Sequence, residues 1–277
     1  MRLAVGDWVM AEGGRITELL PRSSLLQRRA AGSGTATQLI AANVDVMFIV
    51  TSCNNDFNEA RLERYLALSH SAGILPVIVL TKADMADPRP FVTVAKTLSR
   101  DLDVVAVNAK SGAEALRPWC NGTSVLLGSS GVGKSTLANA LTGGDQAVGD
   151  IREDDAKGRH TTTARNLIRI PKGGWLIDTP GVRELQLTDV GIGIDILFQD
   201  LADLSGNCRF RDCKHLSEPN CAVLAAISAG QINAGRLERW RKLLAEDTGN
   251  SAEMAKSVTR AAGRYTKKST AKRKFGG

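Results

Sequence analysis

Short apolar runs rich in Val, Ile and Leu recur through the middle of the chain. The run Asn43-Val-Asp-Val-Met-Phe-Ile-Val50 opens the series, and Ile74 to Leu80, Val104 to Val107, Thr123 to Leu127 and Trp175 to Ile177 continue it. Continuous rather than alternating apolarity predicts strands buried on both faces, as in a parallel sheet covered by helices. Thr136 to Leu141 reads as a helix directly after one of these strands. Two other patterns flank the series. Val5 to Val9 and Arg15 to Leu20 surround Glu12-Gly13-Gly14 and predict a hairpin. Near the other end, Leu237, Trp240 and Leu244 recur at helical spacing, which predicts an amphipathic helix. The fold class is therefore α/β, with a β segment before it and a mostly helical unit after it.

The strand over Thr123 to Leu127 runs into Gly128-Ser129-Ser130-Gly131-Val132-Gly133-Lys134-Ser135, with Thr136 next. This is a phosphate loop in its required strand and helix context. Glycines let backbone N–H groups wrap phosphate oxygens, Lys134 reaches the terminal phosphates, and the Ser135 hydroxyl binds Mg²⁺. Asp178-Thr179-Pro180-Gly181 follows the strand over Trp175 to Ile177. Asp178 would emerge at the C-terminal end of that strand and hold Mg²⁺ through water, and Gly181 would offer its N–H to the γ-phosphate. After Ile74 to Leu80 comes Thr81-Lys82-Ala83-Asp84. Asp84 can accept two hydrogen bonds from guanine N1–H and its exocyclic amine, groups that adenine does not present together, while the Lys82 stem lies along the base. GTP is expected over ATP. Thr81 stands where Asn is usual, and it lacks the amide that would contact the base and brace the phosphate loop. Asn108-Ala109-Lys110 matches a loop that backs the base through main-chain N–H groups, with Asn108 where Ser is usual.

These elements come in an unusual order, with the base-reading residues ahead of the phosphate loop, so the GTPase is expected to be circularly permuted. Between them and Asp178 lies Gly158-Arg159-His160-Thr161-Thr162-Thr163. A Thr hydroxyl there, Thr162 by preference, would complete the Mg²⁺ shell and release it after hydrolysis. Val182 occupies the place where many GTPases carry a Gln that orients the attacking water. His160 is the candidate to replace it, since a neutral imidazole can orient or accept a proton from water near neutral pH; Lys134 is the second catalytic candidate.

Cys208, Cys213, His215 and Cys221 fall within fourteen positions. Three thiols and an imidazole suit a closed, structural tetrahedral zinc site with no position left for water, and metal binding would fold a segment too small for its own core. Cys53 and Cys120 read as packing residues. The net charge of +7 is concentrated at the end of the chain, where eight basic residues from Lys256 to Lys274 face Glu253 alone. Such a tail gains phosphate contacts by counterion release and points to RNA. No apolar run approaches the length of a membrane span, and thiols beside a nucleotide site place the protein in the cytoplasm. No heptads call for an oligomer, so a monomer is expected.

The residues Gly6-Asp7-Trp8-Val9, Pro21-Arg22-Ser23, Ala42-Asn43-Val44-Asp45, Thr81 to Asp84, the phosphate loop, Gly158 to Thr163, Asp178 to Arg183 and the Cys/Cys/His/Cys cluster together resemble the ribosome small subunit-dependent GTPase A (RsgA) family of circularly permuted GTPases. The resemblance implies a partial OB-type segment at 1–36, a permuted GTPase domain at 37–190 and a zinc-binding helical domain with a basic tail at 191–277. Family members usually carry several strands before Gly-Asp-Trp-Val, so only the second half of the barrel is expected here, with a bare strand edge. The resemblance further implies GTP hydrolysis in late 30S maturation, stimulated by the subunit or its 16S rRNA. Permutation would also set both switches close to Cys208, so that nucleotide state repositions the zinc module. Two other functions fit parts of the pattern: a metabolic P-loop kinase or ATPase, against which Asp84 argues, and an RNA-binding assembly factor with a vestigial nucleotide site.

Overall fold

A computed structural model describes residues 2–29, 37–144, 166–178 and 190–249. His160, Thr162 and the rest of Gly158 to Thr163, together with Gly181, Val182 and the basic tail from Ser251, lie outside the described residues.

Strands β1 (Val9–Glu12) and β2 (Arg15–Leu19) form the hairpin, turning on Gly13 and Gly14, both at positive φ. Strands β3 (Leu25–Arg29) and β4 (Thr37–Ala42) form a second antiparallel pair. The run from Asn43 divides here: Asn43 turns at φ 52, and the strand begins only at Val46. Six strands then build one sheet in the order β7 (Asp103–Ala106), β6 (Leu75–Thr81), β5 (Val46–Ser52), β8 (Thr123–Gly128), β10 (Trp175–Asp178), β9 (Asn166–Arg169). All pairings are parallel except β9 with β10. β5 and β8 sit side by side at the centre, and the sheet grows outward from them in both directions. That is a topological switch point, where the carboxyl ends of neighbouring strands leave a crevice for ligand.

Burial on both sides explains the unbroken apolar runs. Met47, Ile49, Ile78 and Leu80 pack toward α1 (Glu59–Ser71) and α2 (Arg89–Lys96), while Phe48, Val50, Val77 and Val79 face α3 (Lys134–Thr142) and the 3₁₀ turn Glu114–Trp119. Cys53 and Cys120 are buried in these two cores, as their isolated positions suggest.

The C-terminal unit comprises α4 (Gly191–Leu197), α5 (Gln199–Ser205), α6 (Ala222–Ser228) and a last helix, α7, over 234–249. It is fastened to α1. Gly193 crosses so close that a Cβ there would lie 1.9 Å from the Ala67 carbonyl. Arg239 of α7 donates to Glu63 at 2.6 Å and pairs with Glu59 at 2.9 Å, and Arg64 pairs with Glu246. Arg236 clasps Asp200 through two nitrogens, donates to the Leu197 and Leu98 carbonyls, and lies 4.7 Å over Phe198.

Candidate functional site

At the end of β8 the backbone must turn within touching distance of β5. A Cβ on Gly128 would sit 2.2 Å from the Val50 carbonyl, and Gly128 has φ +157. Gly131 and Gly133 follow at φ +79 and +95, left-handed values that glycine adopts without strain. Gly133 then caps α3, so Lys134, Ser135 and Thr136 form its first turn. Open N–H groups at that turn favour an anion. Lys134 folds back over the loop, its Nζ donating to the Gly128 carbonyl at 2.8 Å and to the Ser129 carbonyl. Ser130 and Gly131 are exposed at the tip, and Val132 is buried beneath it.

Three charges converge below the loop. Burial pushes the Lys134 ammonium down to about 8, against the opposing pull of Asp178 and Asp56. Asp178 ends β10; burial pushes its carboxyl up, and Lys134 holds it down. Ser135, Asp178 and a bound triphosphate are a hard oxygen set of the kind Mg²⁺ takes. Asp56 carries no signal of its own in the sequence. It follows β5, the strand beside the phosphate-loop strand, and is anchored by Arg61 at 2.9 Å.

The base-reading residues arrive from the neighbouring strands. Thr81 is the last residue of β6 and is buried; its hydroxyl lies 2.5 Å from the Val132 carbonyl and 3.1 Å from that of Thr51. The expectation that replacing Asn leaves the phosphate loop without a brace is therefore corrected. A hydroxyl reaches the loop backbone because β6 ends against it. Lys82, at φ 57, extends its Nζ to the Gly131 carbonyl at 3.0 Å and so spans the tip of the loop. Ala83 N–H meets the Val107 carbonyl at 3.4 Å, and Asp84 stands exposed, with no hydrogen bond among the described residues. Asn108 shapes the next loop as Ser would: its Oδ1 accepts the Lys110 N–H at 3.1 Å and its carbonyl accepts the Ser111 N–H at 3.0 Å. The Ala109 N–H has no partner among the described residues. Thr81 to Asp84, Asn108 to Lys110, Gly128 to Thr136 and Asp178 thus share one end of the sheet.

Cys208, Cys213, His215 and Cys221 form a second cluster, with ligand atoms all within 4.8 Å of one another. Cys208 and Cys221 Sγ are 3.8 Å apart, and His215 Nδ1 lies 3.6 and 3.3 Å from them. Zn–S and Zn–N bonds in a tetrahedron require edges of about 3.8 and 3.6 Å, so the set fits zinc. The second ring nitrogen of His215 is 3.3 Å from Ser205 Oγ, whose own proton goes to the Leu201 carbonyl at 2.8 Å. Ser205 therefore accepts from Nε2–H and leaves Nδ1 free for the metal. Glu218, not singled out by the motif, holds the intervening loop by accepting the N–H groups of Lys214, Leu216 and Ser217 at 2.7 to 3.0 Å. Those donors pull its carboxyl down to about 2. Trp240 of α7 packs 5.7 Å from the His215 ring, which fulfils the amphipathic-helix expectation.

Comparison with known proteins settles what this architecture belongs to. A family model described as RsgA GTPase matches residues 19–188. The small ribosomal subunit biogenesis GTPase RsgA of Mesorhizobium japonicum is 54% identical over 259 residues, covering 90% of this chain and 75% of that protein.

The chain belongs to the RsgA GTPase family.

It is a GTP-hydrolysing enzyme. The small ribosomal subunit biogenesis GTPase RsgA 2 of Vibrio parahaemolyticus is 51% identical, with 91% of this chain and 73% of that one aligned. Among solved structures, YjeQ from Thermotoga maritima superposes with a TM-score of 0.63 at 28% identity, covering 90% of this chain and 86% of its own. YloQ, described as a circularly permuted GTPase, gives 0.63 and 28% with 91% and 83% covered. The permuted order expected from the sequence agrees with that description of YloQ.

Proposed function

We propose that the protein hydrolyses GTP in late maturation of the small ribosomal subunit, binding the subunit through its 16S rRNA and being stimulated by it, as a cytoplasmic monomer. The observation that carries this reading is the convergence at one sheet end of a phosphate loop, an exposed guanine-directed carboxylate and Asp178, in a chain 54% identical to a small ribosomal subunit biogenesis GTPase.

In this reading the phosphates lie in Gly128 to Ser135 and the guanine faces Asp84, with Lys82 along its plane and Ala109 offering an N–H to its edge. Lys134 neutralises charge on the terminal phosphates. Ser135, Asp178 and Thr162 would hold Mg²⁺, which when bound screens the β- and γ-oxygens. Gly181 would donate its N–H to the γ-phosphate. His160 orients the attacking water where Val182 cannot. Cys208, Cys213, His215 and Cys221 would hold one structural Zn²⁺, with Ser205 fixing the His215 tautomer. The bracing of the phosphate loop by Thr81 and Lys82 counts against a vestigial nucleotide site.

Single-turnover GTP hydrolysis by the wild type and by His160→Ala, each with saturating 30S subunits, tests the assignment of His160. A fall of about a hundredfold, within the range general base catalysis supplies, is expected with GTP affinity unchanged. Equal rates would remove His160 from the reaction.

A further inference from the structure

The end of the sheet opposite the phosphate loop carries a cleft that GTP chemistry does not use. It holds about 570 Å³ where the N-terminal segment meets the first residues of β8 and β10. Trp8 contributes one wall and Trp175 another, and these indoles are 66% and 36% exposed. Arg169 on β9, paired in register with Trp175, lies 5.4 Å from its ring centroid. Thr123 lies in the cleft and Gly128 starts the phosphate loop on the same strand, so the two sites stand roughly 17 Å apart at about 3.3 Å per residue.

The floor is built to stay open. A Cβ on Gly174 would fall 1.9 Å from the Gly122 carbonyl, and one on Gly122 would fall 2.3 Å from the Asp45 carboxylate. Side chains are thereby excluded, and hydrogen bonds fix the backbone: Gly174 N–H to the Cys120 carbonyl at 2.6 Å, Trp175 N–H to that of Gly122 at 2.9 Å, and Thr123 N–H to Asp45 at 2.7 Å. On the facing side Asn43 joins the Gly6 carbonyl at 2.9 Å to the Ser23 N–H at 2.8 Å. A rigid cleft of this size is in the range of ligand sites. Leaving indoles in water forgoes their large burial gain. Flat π faces beside a guanidinium suit a planar base carrying a phosphate, the stacking chemistry of single-stranded nucleic acid binding.

We propose that this cleft takes one unpaired base of a single-stranded RNA segment, stacked on Trp8 and Trp175, with Arg169 set against the adjoining phosphate. The proposal rests on the reading that the partner is ribosomal RNA and names where an unpaired nucleotide of it is gripped. A base inside a duplex cannot enter, because its faces are already stacked.

The test is fluorescence anisotropy of the full chain, saturated with GDP, titrated into a labelled unstructured RNA of about ten nucleotides, within the span such sites cover. Trp8→Ala is expected to weaken binding about tenfold and Trp8→Phe to restore most of it. Arg169→Ala should lower both the affinity and the salt dependence by about one phosphate contact. The same sequence as a duplex should bind at least about tenfold more weakly. Basal GTP turnover of Trp8→Ala should match the wild type, which also shows that the variant is folded. Equal affinity of wild type, Trp8→Ala and Arg169→Ala would overturn the proposal, as would displacement of the RNA by an equal concentration of AMP, which would make this a free-nucleotide site. The basic tail is common to every variant and cancels. If Trp8 dependence holds while 30S subunits fail to stimulate hydrolysis, the cleft stands and the ribosomal reading falls; the opposite pattern removes the cleft alone.

Discussion

Lys134 is buried among its own loop carbonyls, and that placement makes it a proton-linked group. Its ammonium titrates near 8 in the folded protein, against about 10.4 when unfolded. The phosphate chain of a bound guanine nucleotide restores the charged form, so binding above pH 8 takes up a proton. GDP affinity should be flat from pH 7 to 8 and then fall up to tenfold per unit, with calorimetry in two buffers showing proton uptake; a flat profile to pH 9.5 would contradict the assignment. Stability without nucleotide runs the other way. Between pH 8 and about 10.4 the unfolded chain binds the extra proton, so folding stability rises with pH there. Residue identity in the sequence pointed to Lys134 and Asp178, whose roles are local to their motifs. Thr81 was misread because its brace depends on where β6 ends relative to Val132, a tertiary distance that no tetrapeptide encodes. Asp56 is invisible for the same reason, since its charge matters only where the fold sets it near Lys134; Glu218 instead caps N–H groups within four residues of itself, a local turn that the ligand spacing does not mark.

Among the elements, the long apolar strands and the helix after the phosphate loop were legible, since burial on both sheet faces writes itself into composition. The short N-terminal strands were harder, and the run from Asn43 reads as one strand although it is a turn followed by a strand. The reason is visible in the contacts. Asp7, with a side chain 3% exposed, takes two hydrogen bonds from Arg22 at 2.7 and 2.8 Å, and Asn43 ties Gly6 to Ser23 beside them. The three motifs containing Gly6, Arg22 and Asn43 are thus one knot that joins the N-terminal segment to the sheet. Arg22→Ala would leave Asp7 buried without its cation and should cost about 2 kcal/mol in a urea melt. Because Arg22 holds the Asp7 carboxyl below its ordinary value, this contribution is present above about pH 4 and is lost as pH falls below that. An unchanged midpoint at neutral pH would show that the pair is dispensable.

For the whole molecule, the sequence predicts that nucleotide state reaches the zinc cluster through a short connection after Asp178. Residues 179–189 lie outside the described residues, and the described ones offer a different connection. The C-terminal unit grips α1 through Glu63, Arg239 and the crossing at Gly193, and α1 follows directly on the loop that carries Asp56. The zinc ligands and the phosphate loop are therefore separate in structure and joined through a helix. Metal removal by a chelator should strip hydrogen-exchange protection from residues 207–221 and from α7 where Trp240 packs, while GDP binding at Gly128 to Ser135 persists; loss of GDP binding would make the zinc segment part of the nucleotide site's own fold. Coupling of this GTPase to the small subunit is tested by steady-state GTP turnover with and without purified 30S subunits, with ATP as control. Slow hydrolysis alone, acceleration of at least about tenfold with 30S and no comparable turnover of ATP are expected. GTP hydrolysis unchanged by 30S subunits would contradict it.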